Sequence, residues 1–164
     1  MKKIYLFLLI LITVLLLIGC SLFSGNSVKY GKDIANKIQI LYKEKSQYLS
    51  DNSSKLFLWR QEVNSISKSK NCTIEKDEKG NWQYYKDDYQ RISFKPKDES
   101  ILKIIDMLNK DYEVLRIDIT DDSIWYFISS DALIYSENDI TNEDDSFTKH
   151  LKGNWYHFNF PYGT

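Results

Sequence analysis

The chain has 164 residues, with 22 Lys or Arg against 23 Asp or Glu and a formal net charge of −1. That length suits one domain able to bury a core, and the balanced charge lacks the basic excess of a nucleic-acid binder. Two histidines and two cysteines are too few for a His/Cys zinc site at recognisable spacing, and no G-x-S-x-G, Walker loop or G-x-G-x-x-G occurs, so no cofactor is expected.

In chain order, Lys2 and Lys3 precede an apolar run from Ile4 to Ile18, softened only by Tyr5 and Thr13. Fifteen residues fit the h-region of a secretory signal and fall short of the roughly 20 needed to cross a bilayer. The run closes on Leu17-Ile18-Gly19-Cys20, followed by polar Ser21, Ser24, Gly25 and Asn26. This tetrapeptide resembles the lipobox of bacterial lipoproteins: an aliphatic residue, a tolerated one, a small one, then cysteine. The resemblance covers about an eighth of the chain. It implies cleavage between Gly19 and Cys20 and a diacylglyceryl thioether on Cys20, whose thiol is the soft nucleophile such a bond needs. Two acyl chains anchor stably where one is marginal. Residues 1–19 are then a cleaved signal peptide, 20–28 a lipidated cysteine and polar tether, and 29–164 a single exported domain. The same resemblance implies that Ser21, unlike an Asp there, gives no inner-membrane retention signal. The expected address is the outer membrane of a two-membrane host, or otherwise the outer face of the cell membrane.

Loss of residues 1–19 removes two lysines and no acid, so the remaining 145 residues carry a net charge of −3. Lipid on Cys20 leaves Cys72 without an intrachain partner, so the domain must hold without a disulfide. Charge is uneven. Residues 29–70 hold nine basic groups against four acids, and residues 71–164 hold eleven against nineteen.

Ile34, Ile38, Leu41 and Tyr48 fall at helical spacing. A second helix is expected after Ser53 or Ser54 as N-cap, with Leu56, Trp59, Val63 and Ile66 on one face. The period then changes to two. Cys72 and Ile74 share a strand face, Asp77-Glu78-Lys79-Gly80 reads as a hairpin turn into Trp82–Tyr85, and Arg91–Phe94 is a third strand before Pro96. Asp98 caps a helix carrying Ile101, Ile104, Ile105 and Leu108. Strands are expected at Tyr112–Ile119, Ser123–Ile128, Ala132–Tyr135 and Asn154–Phe160, with Glu137–Asp145 a polar loop. This order predicts an α+β domain: an antiparallel sheet of about five to seven strands packed against two or three helices.

Candidate chemistry is sparse. Cys72 has Lys68 and Lys70 nearby to lower its pKa and His150 or His157 as possible base, yet its alternation with Ile74 reads as a structural thiol. The acid clusters Asp87-Asp88, Asp121-Asp122 and Glu143-Asp144-Asp145 lack EF-hand spacing and read as solvated turns. Aromatics on the strands are the better lead. Trp125 and Phe127 oppose Ile124, Tyr126 and Ile128, while Trp155 and His157 oppose Tyr156, Phe158 and Phe160. One set must face the helices, and Trp125, Phe127, Trp155 and His157 are the candidates for an outward, partner-binding face. Lys29, Lys32, Lys37, Lys43 and Lys45 are candidates to face the membrane. The tether to Cys20 reaches at most about 30 Å, and each nearby lysine gains about 1 kcal/mol from anionic lipid.

The leading expectation is a non-enzymatic lipoprotein that binds another macromolecule at the envelope, as an inhibitor, an immunity or exclusion factor, or an adaptor. A basic protein is the expected partner, with a glycan as the other choice and no nucleic acid. The alternatives are a structural part of an envelope assembly and a small hydrolase using Cys72 or the clustered acids.

Overall fold

The computed structural model describes the backbone of residues 2–67, 72–86, 94–140 and 147–159, and the side chains of 30–65, 72–84, 94–140 and 147–159. Two units are distinguished, Met1–Asp33 with Tyr162–Thr164, and Ile34–Pro161. The described part of the first is the start of helix α1 (Lys2–Ser67). The second is an α+β domain. Its described elements are the rest of α1, strands β1 (Cys72–Lys76) and β2 (Trp82–Lys86), helix α2 (Glu99–Tyr112), and strands β3 (Arg116–Ile119), β4 (Ser123–Ile128), β5 (Asp131–Ser136), β6 (Thr148–Lys152) and β7 (Trp155–Phe158).

α1 is continuous where the sequence predicts a tether at 20–28 and a break near Ser53. The first proline is Pro96, so nothing removes a helical N–H before it. Ser53 does not cap: its hydroxyl donates to the Ser50 carbonyl at 2.9 Å, satisfied inside the helix. At about 100° per residue, Ile34, Ile38, Leu41, Leu49, Ser53, Leu56, Trp59, Arg60 and Val63 fall within an arc about 120° wide, and all nine are buried. Tyr48, expected on this face, lies outside the arc and is 45% exposed.

The seven strands form one sheet in the order β2-β1-β3-β4-β5-β7-β6, every neighbouring pair antiparallel. One face carries Ile74, Ile117, Tyr126, Leu133 and His157 in a cross-strand row, beside Cys72, Ile119, Ile124, Tyr135 and Trp155. All ten are buried. α1 covers this face by crossing the strands. Trp59 meets Tyr84 of β2 edge-on and Tyr42 meets Trp155 of β7 edge-on, each at 6.3 Å between ring centroids. Seventeen residues of helix rise about 25 Å, which matches the roughly 24 Å across five strand spacings.

α2 begins where the sequence places it. Asp98 accepts from the Ser100 N–H at 2.8 Å, and Ile101, Ile104, Ile105 and Leu108 are buried. It runs on to Tyr112, so β3 starts four residues later than the predicted strand. The turn between them places Glu113 at φ 58°, with its N–H and that of Val114 donating to carbonyls of Asn109 and Leu108. A left-handed non-glycine residue is strained. Glu113→Gly is therefore expected to raise unfolding free energy by about 0.5–1 kcal/mol, less the small loss of the exposed Lys37–Glu113 ion pair. The shift of the urea midpoint checks this, and a lower midpoint would contradict it.

The sequence predicts no strand at β6. Its sequence, Thr-Lys-His-Leu-Lys, has no apolar alternation because it is an edge strand whose side chains stay largely in solvent. Lysines and a register shift between His150 and Lys152 blunt that edge. The one available signal is the two-residue turn Gly153-Asn154 before β7, with Gly153 at φ 59°. The Asp77–Gly80 turn is as expected, closed by Asp77 N–H to the Asn81 carbonyl at 2.9 Å, with Gly80 at φ 80°. Of the predicted strand Arg91–Phe94, only Phe94 is described, and its N–H donates to the Tyr84 carbonyl at 3.2 Å. Residues 141–145 of the predicted loop, and Ile66, Tyr85, Asp87, Asp88, Tyr89 and Phe160 as side chains, lie outside the described residues.

Candidate functional site

Strand alternation sends the second set of side chains to the face opposite α1. Cross-strand partners Thr73, Asp118, Trp125, Ile134, Tyr156 and His150 form one row, and Glu75, Arg116, Phe127, Ala132, Phe158 and Thr148 the next. In the middle, Ala132, Ile134 and Tyr156 are buried beneath half-buried Trp125, Phe127, Ile140 and Phe158. Trp125 stacks with Phe127 at 6.0 Å and meets Phe158 edge-on at 5.6 Å. The two rows thus divide into an aromatic half on β4, β5 and β7 and a polar half on β1 and β3.

This arrangement splits the predicted partner-binding set. Trp125 and Phe127 lie on the outer face, as one of the two sequence alternatives requires. Trp155 and His157 do not: they are 6% and 8% exposed on the face that α1 covers. The correction follows from register. Trp155 pairs with Tyr135 and His157 with Leu133, both core residues, so β7 directs Tyr156 and Phe158 outward instead. His157 Nε2 lies 3.5 Å from Oδ2 of fully buried Asp131. Burial pushes the imidazole pKa down, against the pull of Asp131.

At the junction of the aromatic and polar halves lies an open groove of about 480 Å³ lined by Thr73, Arg116, Asp118, Thr120, Asp122, Ser123, Trp125 and Phe127. Its walls are positioned by hydrogen bonds. Arg116 holds Asp118 in a bidentate grip, with Nε to Oδ1 at 2.9 Å, and Thr73 Oγ1 donates to the same oxygen at 2.8 Å. Arg116 also lies over the Phe127 ring, 5.1 Å from its centroid. At the β3–β4 turn, the Trp125 indole N–H donates to Ser123 Oγ at 2.9 Å. Asp122 accepts from Asn138 Nδ2 at 2.9 Å and Thr120 Oγ1 at 3.0 Å. The Asn138 bond, chief among these, holds the Asp122 carboxyl below its ordinary pKa, so it stays ionised. Arg116 and Asp118 are not singled out in the sequence, and Asp122 is read there only as part of a solvated acidic turn. Their proximity to Trp125 depends on strand pairing, which one strand's pattern does not reveal.

Among the described residues, Cys72 and its candidate base His157 are not brought together, and Lys68, Lys70, Asp87 and Asp88 lie outside those residues. Cys72 is fully buried, with Sγ 3.8 Å from Asn64 Oδ1. His157 lies four strands away in the sheet order, roughly 19 Å at ordinary strand spacing. Asp121 pairs with buried Arg60, and Glu143, Asp144 and Asp145 lie outside the described residues. Among the described residues, no cluster of three or more His, Cys, Asp or Glu is placed to hold a metal ion.

The membrane-facing lysines also divide. Lys32 and Lys43 are exposed. Lys37 pairs with Glu113, and Lys45 Nζ lies 5.9 Å from the Tyr112 ring centroid, so both are drawn onto the end of α2. The Lys29 side chain lies outside the described residues. Among those residues no helix is long and apolar enough to cross a membrane.

No protein-family model, curated protein or solved structure matches this chain.

Proposed function

We propose that this chain is an exported lipoprotein, anchored through Cys20, whose outer sheet face binds a basic protein partner in the cell envelope without catalysing a reaction. The observation that carries the binding part is the half-buried aromatic cluster of Trp125, Phe127 and Phe158 on the sheet face opposite α1. Aromatic side chains beside fixed polar groups supply large contact area at little entropic cost, the composition of interface hot spots. Excess acid over residues 71–164 favours a basic partner and fast, salt-sensitive association. The lipobox residues Leu17-Ile18-Gly19-Cys20 support the anchor.

A photo-cross-linking phenylalanine analogue at position 127, expressed in intact cells, tests the reading. The expected product is one dominant protein adduct that Trp125→Ser abolishes and added salt weakens. An adduct insensitive to both changes, or none, would count against it.

A further inference from the structure

We infer that the groove over Trp125 is the receptor for an arginine side chain presented by that partner. This rests on the protein-binding reading above and names the group that seats in the face. The chain already contains one copy of the required arrangement. Arg116 lies over Phe127 while its guanidinium pairs with Asp118, so an aromatic ring, a guanidinium and a carboxylate are held together on this face. Two residues further along the same strand pair, Trp125 stands beside Asp118 with Asp122 at the turn. Among the described residues no cation lies over the Trp125 ring. Tryptophan attracts a cation more strongly than phenylalanine does, so the better ring is the one without a cation among the described residues.

The groove's other features fit a guanidinium better than an ammonium or a sugar. Asp122 is kept ionised by Asn138 and Thr120. Each carboxylate oxygen accepts more than one hydrogen bond, so Asp118 and Asp122 retain lone pairs for an incoming donor. A planar guanidinium can stack on the indole and give two parallel bonds to one carboxylate, which a lysine cannot do. Neighbouring Phe127 and Phe158 offer apolar surface for the arginine stem. With one cation against two carboxylates in the lining, the groove is net acidic, the complement of an arginine.

The test uses the lipidated mature protein, labelled with 5-fluorotryptophan, in a polyoxyethylene detergent that carries neither charge nor sugar. The Trp125 resonance is assigned from Trp125→Leu. Three probes are titrated: acetyl-Gly-Arg-Gly-amide, the same peptide with neutral, near-isosteric citrulline, and chitotriose. The arginine peptide is expected to shift the Trp125 resonance saturably, with a Kd on the order of millimolar, and the citrulline peptide to bind at least about tenfold more weakly. Asp122→Asn is expected to weaken the arginine peptide about fivefold, with the other three tryptophan resonances unmoved. Equal response to citrulline, a response to chitotriose in its place, or no response at all overturns the inference. A protein adduct at position 127 without an arginine response overturns the arginine site and leaves the protein-binding reading standing. An arginine response without any adduct keeps the site and removes the reading that a protein fills it.

Discussion

Trp155→Ala is expected to destabilise the domain by about 3–5 kcal/mol, whereas Trp125→Ala costs about 1–2 kcal/mol and leaves the fold intact. The two tryptophans lie on opposite faces of the sheet. Trp155 is 6% exposed and packs its ring against Tyr135 at 5.2 Å, and against Tyr126 and Tyr42 at 6.3 Å each. Tyr42 belongs to α1 and the tyrosines 126 and 135 to β4 and β5, so this one side chain joins the helix to three strands. Its removal opens a cavity that no neighbour can fill without moving α1. Trp125 is half-buried, and its indole N–H bonds to Ser123 on its own strand. Urea unfolding followed by circular dichroism separates the two variants. Similar midpoints would mean that α1 does not cover the Trp155 face as described.

Cys20→Ser is expected to leave an uncleaved precursor that incorporates no fatty acid. The expected effect is all-or-none because the proposed anchor is a single thioether. Each buried CH₂ contributes about 0.8 kcal/mol, and a hydroxyl in place of the thiol forfeits both acyl chains together. Serine changes neither charge nor size appreciably, so folding of the 34–161 unit, which lies beyond this residue, should be unaffected. Metabolic labelling with a radioactive fatty acid, together with the mobility of the chain on a gel, reads the result. Normal labelling and cleavage of the variant would dispose of the lipobox assignment.

Much of the fold was legible in the amino-acid order because it rests on local periodicity. β4 was placed residue for residue, since Ile124, Tyr126 and Ile128 alternate with Trp125 and Phe127. α2 was legible from the cap at Asp98 and the spacing of its four buried aliphatics. The continuity of α1 was not. Serines 53 and 54 read as a cap because the same hydroxyl can bond a free N–H at a helix start or a carbonyl within the helix. Packing of Leu49 and Leu56 on either side made the second choice. β6 lacked any apolar pattern, and only its pairing with β7 makes it a strand.

The α+β class and the two alternating faces of each strand follow from sequence alone, because residue type and spacing along one segment determine them. Which face belongs to the core does not. Alternation gives each strand two faces but no common reference, and a one-residue difference in register exchanges them. Only the paired sheet, with α1 laid across it, directs Trp155 and His157 inward and leaves Trp125 outward. The same pairing brings Asp118 of β3 beside Trp125 of β4, with Asp122 at the turn joining the two strands. No single segment contains that groove. It exists because an antiparallel ladder places side chains from separate strands within a few ångströms.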